Sequence, residues 1–189
     1  MIRTNTALLD YISGIRRDNR EAISCYNFPE GTRIVEQQKR LSFVYIVKKG
    51  VAKCFLTEEN GKDFIQEFFG EGEVFGEIEA LNDKLSFCAV TALTDTEVYQ
   101  IPRTDFLKLL DEDKVFNRFI MNAIAGKVRY KALRHAHNQL HAIEENVQRL
   151  QKQFPRLLEV IPKKDIANYL GVTLRSLNRV LSESGKEKF

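Results

Sequence analysis

The sequence predicts an α+β chain: a β jelly roll first, a long helix next, and a helix-turn-helix unit last. Three observations carry this expectation. From about Arg33 to Ile101, short runs rich in Val, Ile, Phe and Tyr are cut by turn residues, as in a sandwich or barrel of short strands. From Lys114 to about His141 no proline interrupts the chain, and Phe116, Phe119, Ile120, Ala123, Ile124, Lys127 and Val128 recur at helical spacing. Finally, "KKDIANYLGVTLRSLNRVL", Lys163 to Leu181, reads as two short helices joined at Gly171.

Taken in order, "ALLDYISGI" forms a short helix ahead of the strands. The runs "FVYIVKKG", "VAKCFLTEENG", "KDFIQEFFGEGEVFG" and "CAVTALTDTEVYQI" then supply strands, with Asn60-Gly61 as a two-residue hairpin signal. "TDFLKLLDED" is a helix with Thr104 or Asp105 as its cap. The long helix must bury its apolar stripe against its own domain or a second chain. "IEENVQRLQKQF" is a further helix, ended by Pro155. These divisions give residues 1–112 as the jelly roll, 113–141 as the long helix and 142–189 as the helix-turn-helix domain.

Composition narrows the classes. At 43% hydrophobic residues over 189 positions the chain can bury a core. No apolar run reaches the roughly 18 residues of a membrane span, and the N-terminus lacks an apolar signal core. The three cysteines, Cys25, Cys54 and Cys88, are far apart and form no CxxC. That pattern suits buried thiols in a reducing cytoplasm. Charge is split: residues 1–112 hold 14 Lys+Arg against 19 Asp+Glu, whereas residues 113–189 hold 15 against 7. A basic C-terminal half points to a polyanionic partner.

The terminal unit sharpens that inference. Ile166 and Leu170 are apolar, and Ala167 is small where a second helix crosses. Gly171 stands where the turn demands positive φ. Val172, Leu177 and Val180 point inward, a pattern specific to a helix-turn-helix. Lys163, Lys164, Thr173, Arg175, Ser176 and Arg179 face outward as the residues expected to touch DNA. Thr173 can cap the second helix and bond a phosphate, while Arg175 and Arg179 can address O6 and N7 of guanine.

The order "GEGEVFGEIEAL", "ALTDTEVYQIPRTDF", a long helix and "IANYLGVTLRSLNRVL" resembles the Crp/Fnr family of bacterial transcription regulators. The resemblance implies a cyclic-nucleotide-binding-like jelly roll and a long helix forming a parallel dimer coil, with Phe116, Ile120, Ala123 and Ile124 at the interface. It also implies a winged helix-turn-helix. Three departures stand out. Leu174-Arg175 replaces the family's frequent Arg-Glu pair, little chain follows the recognition helix so the wing is short or absent, and the cysteine cluster of an iron–sulfur sensor is missing.

The resemblance also implies an effector pocket at Gly76, Glu77, Lys84, Ser86, Phe87 and Cys88. Where cyclic-nucleotide binders carry an Arg-Ser/Thr-Ala triplet, this chain has Ser86-Phe87-Cys88. A buried phosphate would lose its charge-assisted partner there, so control by cyclic AMP is not expected. Glu77 is read as an acceptor for loop amides, and Lys127, Arg129, Lys131 and Arg134 as a solvated face. His137 and His141 share a helix face but have no third ligand, so no metal or other cofactor is expected.

The reading is a cytoplasmic homodimer binding a palindromic operator in double-stranded DNA. RNA polymerase is its further partner, a small-molecule effector of unknown identity is possible, and no membrane or catalytic role is expected. The competing reading is a ligand-binding or protein-interaction module with a decayed DNA-binding domain.

Overall fold

A computed structural model describes residues 2–18, 23–154 and 157–186. The elements run β1 (Ile2–Arg3), α1 (Thr6–Asp18), β2 (Ser24–Phe28), β3 (Arg33–Val35), β4 (Phe43–Lys49), β5 (Ala52–Thr57), β6 (Asp63–Phe69), β7 (Val74–Phe75), α2 (Glu77–Asn82), β8 (Ala89–Ala92) and β9 (Thr96–Pro102). Then follow α3 (Arg103–Glu112), α4 (Lys114–Leu140), α5 (Ile143–Gln153), α6 (Leu157–Val160), α7 (Lys163–Leu170) and α8 (Leu174–Lys186). The strands form a five-stranded sheet, β1-β6-β5-β8-β3, and a four-stranded sheet, β2-β9-β4-β7. Val35, Cys54, Phe69 and Val90 of the first share a core with Tyr45, Val47, Phe75 and Val98 of the second. This is the expected α+β architecture.

Both sheets are covered twice. In β4, Tyr45 and Val47 face the other sheet, while Val44 and Ile46 join Leu8, Ile12, Phe106, Phe116 and Ile120 from the helices behind. In the five-stranded sheet, Ala52, Cys54 and Phe69 face inward, whereas Phe55, Ile65, Phe68 and Ala89 pack on Ile166, Tyr169 and Leu170 of α7. Side chains alternate across a strand, so burial on both faces turns alternation into continuous apolar runs. That is why "FVYIV" shows no polar side. The result is four layers: helices, sheet, sheet, and the helix-turn-helix domain.

Local details depart from expectation in two places. The β5–β6 hairpin forms, but its loop spans residues 58–62, closed by Glu58 N–H to Lys62 O and Gly61 N–H to Glu58 O. The pairing ends at Thr57↔Asp63, beyond the Asn60-Gly61 pair itself. The helix expected to be capped by Thr104 or Asp105 begins at Arg103, with Pro102 in the cap position and no side-chain cap.

The long helix requires a larger correction. Phe116, Ile120 and Ala123, expected between two subunits, are 0%, 0% and 5% exposed within the single chain. They fill the core beneath the four-stranded sheet with α1 and α3, and Ile124 packs at its margin. The stripe therefore satisfies the chain's own domain. A different face of α4 carries the uncovered apolar residues: Met121 and Val128 are 56% and 64% exposed, with exposed Ala125 and Ala132 between and beyond them. Asp113 caps the helix by accepting from Val115 and Phe116 N–H at 2.9 and 3.0 Å. It also accepts from the Tyr11 hydroxyl at 2.6 Å, which ties α1 to the cap.

Candidate functional site

A cavity of about 680 Å³ opens beside α2 and α4, with apolar walls that include Val35, Leu41, Phe69, Phe75 and Val90. Gly76 is among its lining residues. At φ 86 it caps α2 in a left-handed conformation, and a Cβ there would lie 3.1 Å from the Phe43 carbonyl oxygen. Glu77 follows at the start of α2 and is 1% exposed.

Its partner is a cation from the long helix, not a loop amide. Lys127 Nζ lies 2.8 Å from Glu77 Oε1 and also donates to the Val74 carbonyl. Around this pair, Lys131 meets Glu67 at 3.0 Å, and Arg3 approaches Glu73 at 3.4 Å and Glu67 at 3.7 Å. Burial works to discharge Lys127, but the carboxylates of Glu77, Glu67 and Glu73 outweigh it and raise its pKa. Burial likewise pushes the Glu73 carboxyl up, against the pull of Arg3 and Lys127. The cations at the cavity floor are thus already balanced by carboxylates.

The triplet occupies three different environments. Ser86 is 0% exposed; its Oγ donates to Glu36 O and accepts from Lys39 N–H at 2.9 Å, stapling two loops together. Phe87 is 57% exposed at the cavity rim, with its N–H on Glu79 Oε1 at 3.1 Å. Cys88 lines the cavity, as does Cys54 on the neighbouring strand β5. Lys84 is exposed at the rim.

The solvated basic face expected on α4 is corrected here. Lys127 and Arg134 are 4% and 8% exposed, Lys131 is half-buried and Arg129 is exposed. Arg134 donates to Ile65 O at 3.2 Å and Gln66 O at 2.6 Å and stacks over Tyr169, 4.6 Å from its centroid. The signal was present, because positions 127, 131 and 134 share one helix face. His137 and His141, on the last turns, stack at 4.1 Å, and His141 Nδ1 lies 2.7 Å from Glu145 Oε2.

The second candidate surface is the α7–Gly171–α8 unit. Gly171 has φ 71, and its N–H closes α7 on Ala167 O. Leu177 and Val180 are buried, while Lys163, Lys164, Thr173, Arg175 and Arg179 are exposed and Ser176 is half-buried. Thr173 Oγ1 accepts from Ser176 N–H at 3.1 Å, the expected cap of α8. The Arg179 guanidinium lies 3.6 Å from Glu144 of α5. Helix α8 runs to Lys186, and the rest of the segment where a short wing was considered, residues 187–189, lies outside the described residues. Asp165 is buried and meets Lys53 of β5 through both carboxylate oxygens at 2.9 Å.

Residues 26–113 match the cyclic nucleotide-binding domain family. The cyclic AMP receptor protein of Thermus thermophilus is 30% identical over 83 residues, which is 44% of this chain and 38% of that protein. FixK2 of Bradyrhizobium japonicum superposes with a TM-score of 0.75 at 24% identity, covering 87% of this chain and 85% of that one. The c-di-GMP responsive global regulator CLP of Xanthomonas campestris gives 0.75 at 15% identity, covering 93% and 92%. A Crp/Fnr-family protein of Eubacterium rectale gives 0.73 at 16%, covering 97% and 84%. Among the described residues, no helix is long and apolar enough to cross a membrane. Residues 26–113 are thus similar to cyclic nucleotide-binding domains, and the chain has the fold seen in the Crp/Fnr-family structures.

Proposed function

We propose that this chain is a homodimeric, sequence-specific DNA-binding transcription regulator of Crp/Fnr type, without catalytic activity and not controlled by cyclic AMP. The observation that carries the reading is the exposed side of the α7–α8 unit. Lys163, Lys164, Thr173, Arg175 and Arg179 stand there together on a helix pair whose inner face is fully packed. Dimerisation would use Met121, Ala125, Val128 and Ala132, whose alternating steps of four and three form a coiled-coil seam. The two recognition helices of such a dimer would meet successive major grooves, so the operator should be an imperfect palindrome.

Independence from cyclic AMP is supported by Ser86, which is spent on a loop staple, and by Lys127 and Lys131, which are already paired with carboxylates. A cyclic phosphate would have to break those pairs to be neutralised. Calorimetry with cyclic AMP should therefore show no binding heat, and saturable micromolar binding would reverse this part of the reading.

Footprinting on upstream DNA tests the main claim, with a protected palindrome expected. Arg175→Ala and Arg179→Ala should each cost about 1–3 kcal/mol on that site and relax base choice. Unchanged discrimination in gel shifts after removal of either arginine would remove the assignment.

A further inference from the structure

The cavity presents sulfur on one wall. Cys54 lies on β5 and Cys88 immediately before β8, and the two strands pair antiparallel with Cys54 opposite Val90. Cys88 is thus the diagonal neighbour of Cys54 on the same sheet face. Both cysteines are free, and both line the cavity. Their surroundings are Val35, Phe69, Phe75 and Val90. Facing Cys54 from β6 and α4, Glu67 and Lys131 are paired with each other. No group of three His, Cys, Asp or Glu side chains among the described residues could hold a metal ion.

We propose that Cys54 and Cys88 form a dithiol site for trivalent arsenicals carrying an apolar substituent, set inside the effector cavity. The proposal rests on the reading of that cavity as the regulatory site. The neighbouring Cys88 thiol and burial hold the Cys54 thiol well above its ordinary pKa. Cys54 therefore resists ligands that need its free thiolate, and the site suits a reaction that begins and ends uncharged. An organoarsenical in its hydrated form, R–As(OH)2, meets that requirement. Two As–S bonds form while two As–O and two S–H bonds break. Each thiol proton leaves on a hydroxide as water, and arsenic stays trivalent, so no oxidant or reductant is needed. The substituent R would lie against the Phe69 and Phe75 rings, which stack at 5.2 Å on the cavity wall.

Phenylarsine oxide is the probe, read by intact mass on the full chain. The wild type should gain one phenylarsenic group, keep it in excess monothiol and release it to a dithiol. Cys25→Ser should behave as wild type. Cys54→Ser and Cys88→Ser should each lose the monothiol-resistant adduct, with Cys54→Ala and Cys88→Ala as folding-checked repeats matched to wild type by thermal melting. An adduct that survives removal of Cys54 or Cys88, or one that depends on Cys25, would overturn the site. So would loss of two hydrogens without an adduct, which would mean a disulfide. A separate arm measures operator affinity with and without the adduct, expecting a change of about fivefold or more. An adduct that needs both cysteines yet leaves DNA binding unchanged would overturn the regulatory reading of the cavity while the dithiol site stands.

Discussion

The two faces of the five-stranded sheet are made from the same strands and do opposite things. On β5, Cys54 looks into the cavity while Lys53 and Phe55 look toward α7; on β6, Glu67 and Phe69 look in while Phe68 looks out. The inner face is concave and charged at its floor. The outer face is filled, with Phe68 and Tyr169 rings 5.5 Å apart and the Tyr130 and Tyr169 hydroxyls bonded together. One strand's thickness separates the candidate effector cavity from the candidate DNA-binding unit. A ligand that moved β5 or β6 would move the floor on which α7 rests, with no longer pathway required.

The largest expected effect comes from breaking the outer face. Phe68→Ala should cost about 3–5 kcal/mol in urea unfolding, because the ring is fully buried between sheet and α7 and the cavity left cannot collapse. If the loss were under about 1 kcal/mol, the docking would be far looser than described.

The next effects compare one lysine on each face. Lys127→Met strands Glu77 in the interior, and its side chain and that of Glu77 are only 5% and 2% exposed. A loss of about 3 kcal/mol is expected, as for one partner removed from a buried pair. Lys53→Met should cost less, about 2 kcal/mol, because Lys53 is 18% exposed and water can help Asp165. Hydrogen exchange should then show faster opening across α7 and α8 for Lys53→Met and across α2 for Lys127→Met. The opposite assignment would show that the faces are not separable.

The smallest effect is a pH dependence confined to the inner face. Burial raises Glu73 above the ordinary carboxylate value of 4.5. Between that value and the raised one, the folded chain keeps a proton that the unfolded chain has lost. Stability from this group therefore falls as pH rises through that window. Glu73→Gln should remove this downward slope in urea midpoints measured from pH 4.5 upward. A slope that survives the substitution belongs to another group.

Fold order was legible because each element leaves a local signal: strand composition, helical spacing, and the tightly constrained helix-turn-helix. Which face of an element is covered, and by what, depends on the third dimension. Phe116, Ile120 and Ala123 announce a buried stripe, but spacing alone cannot say whether the cover is α1 and α3 or a second subunit. Lys127 and Arg134 looked like solvated charges because their carboxylate and carbonyl partners lie more than 45 residues away in sequence. The hydrogen bonds of Ser86 depend on a loop carbonyl and a loop amide that have no sequence motif.

The docking of α7 on Phe55, Ile65 and Phe68 has a consequence during synthesis. Chains emerge from the ribosome N-terminus first, so the sheet is complete well before Tyr169 and Leu170 arrive to cover it. For that interval a strip of apolar side chains on β5 and β6 stands open to water and to neighbouring nascent chains. The C-terminal helices thus close the sheet's surface as they appear, and a ribosome stalled before residue 160 would display a sticky, half-roofed sheet. Selection on Ile166, Tyr169 and Leu170 would then answer to proteostasis as much as to the stability of the finished fold.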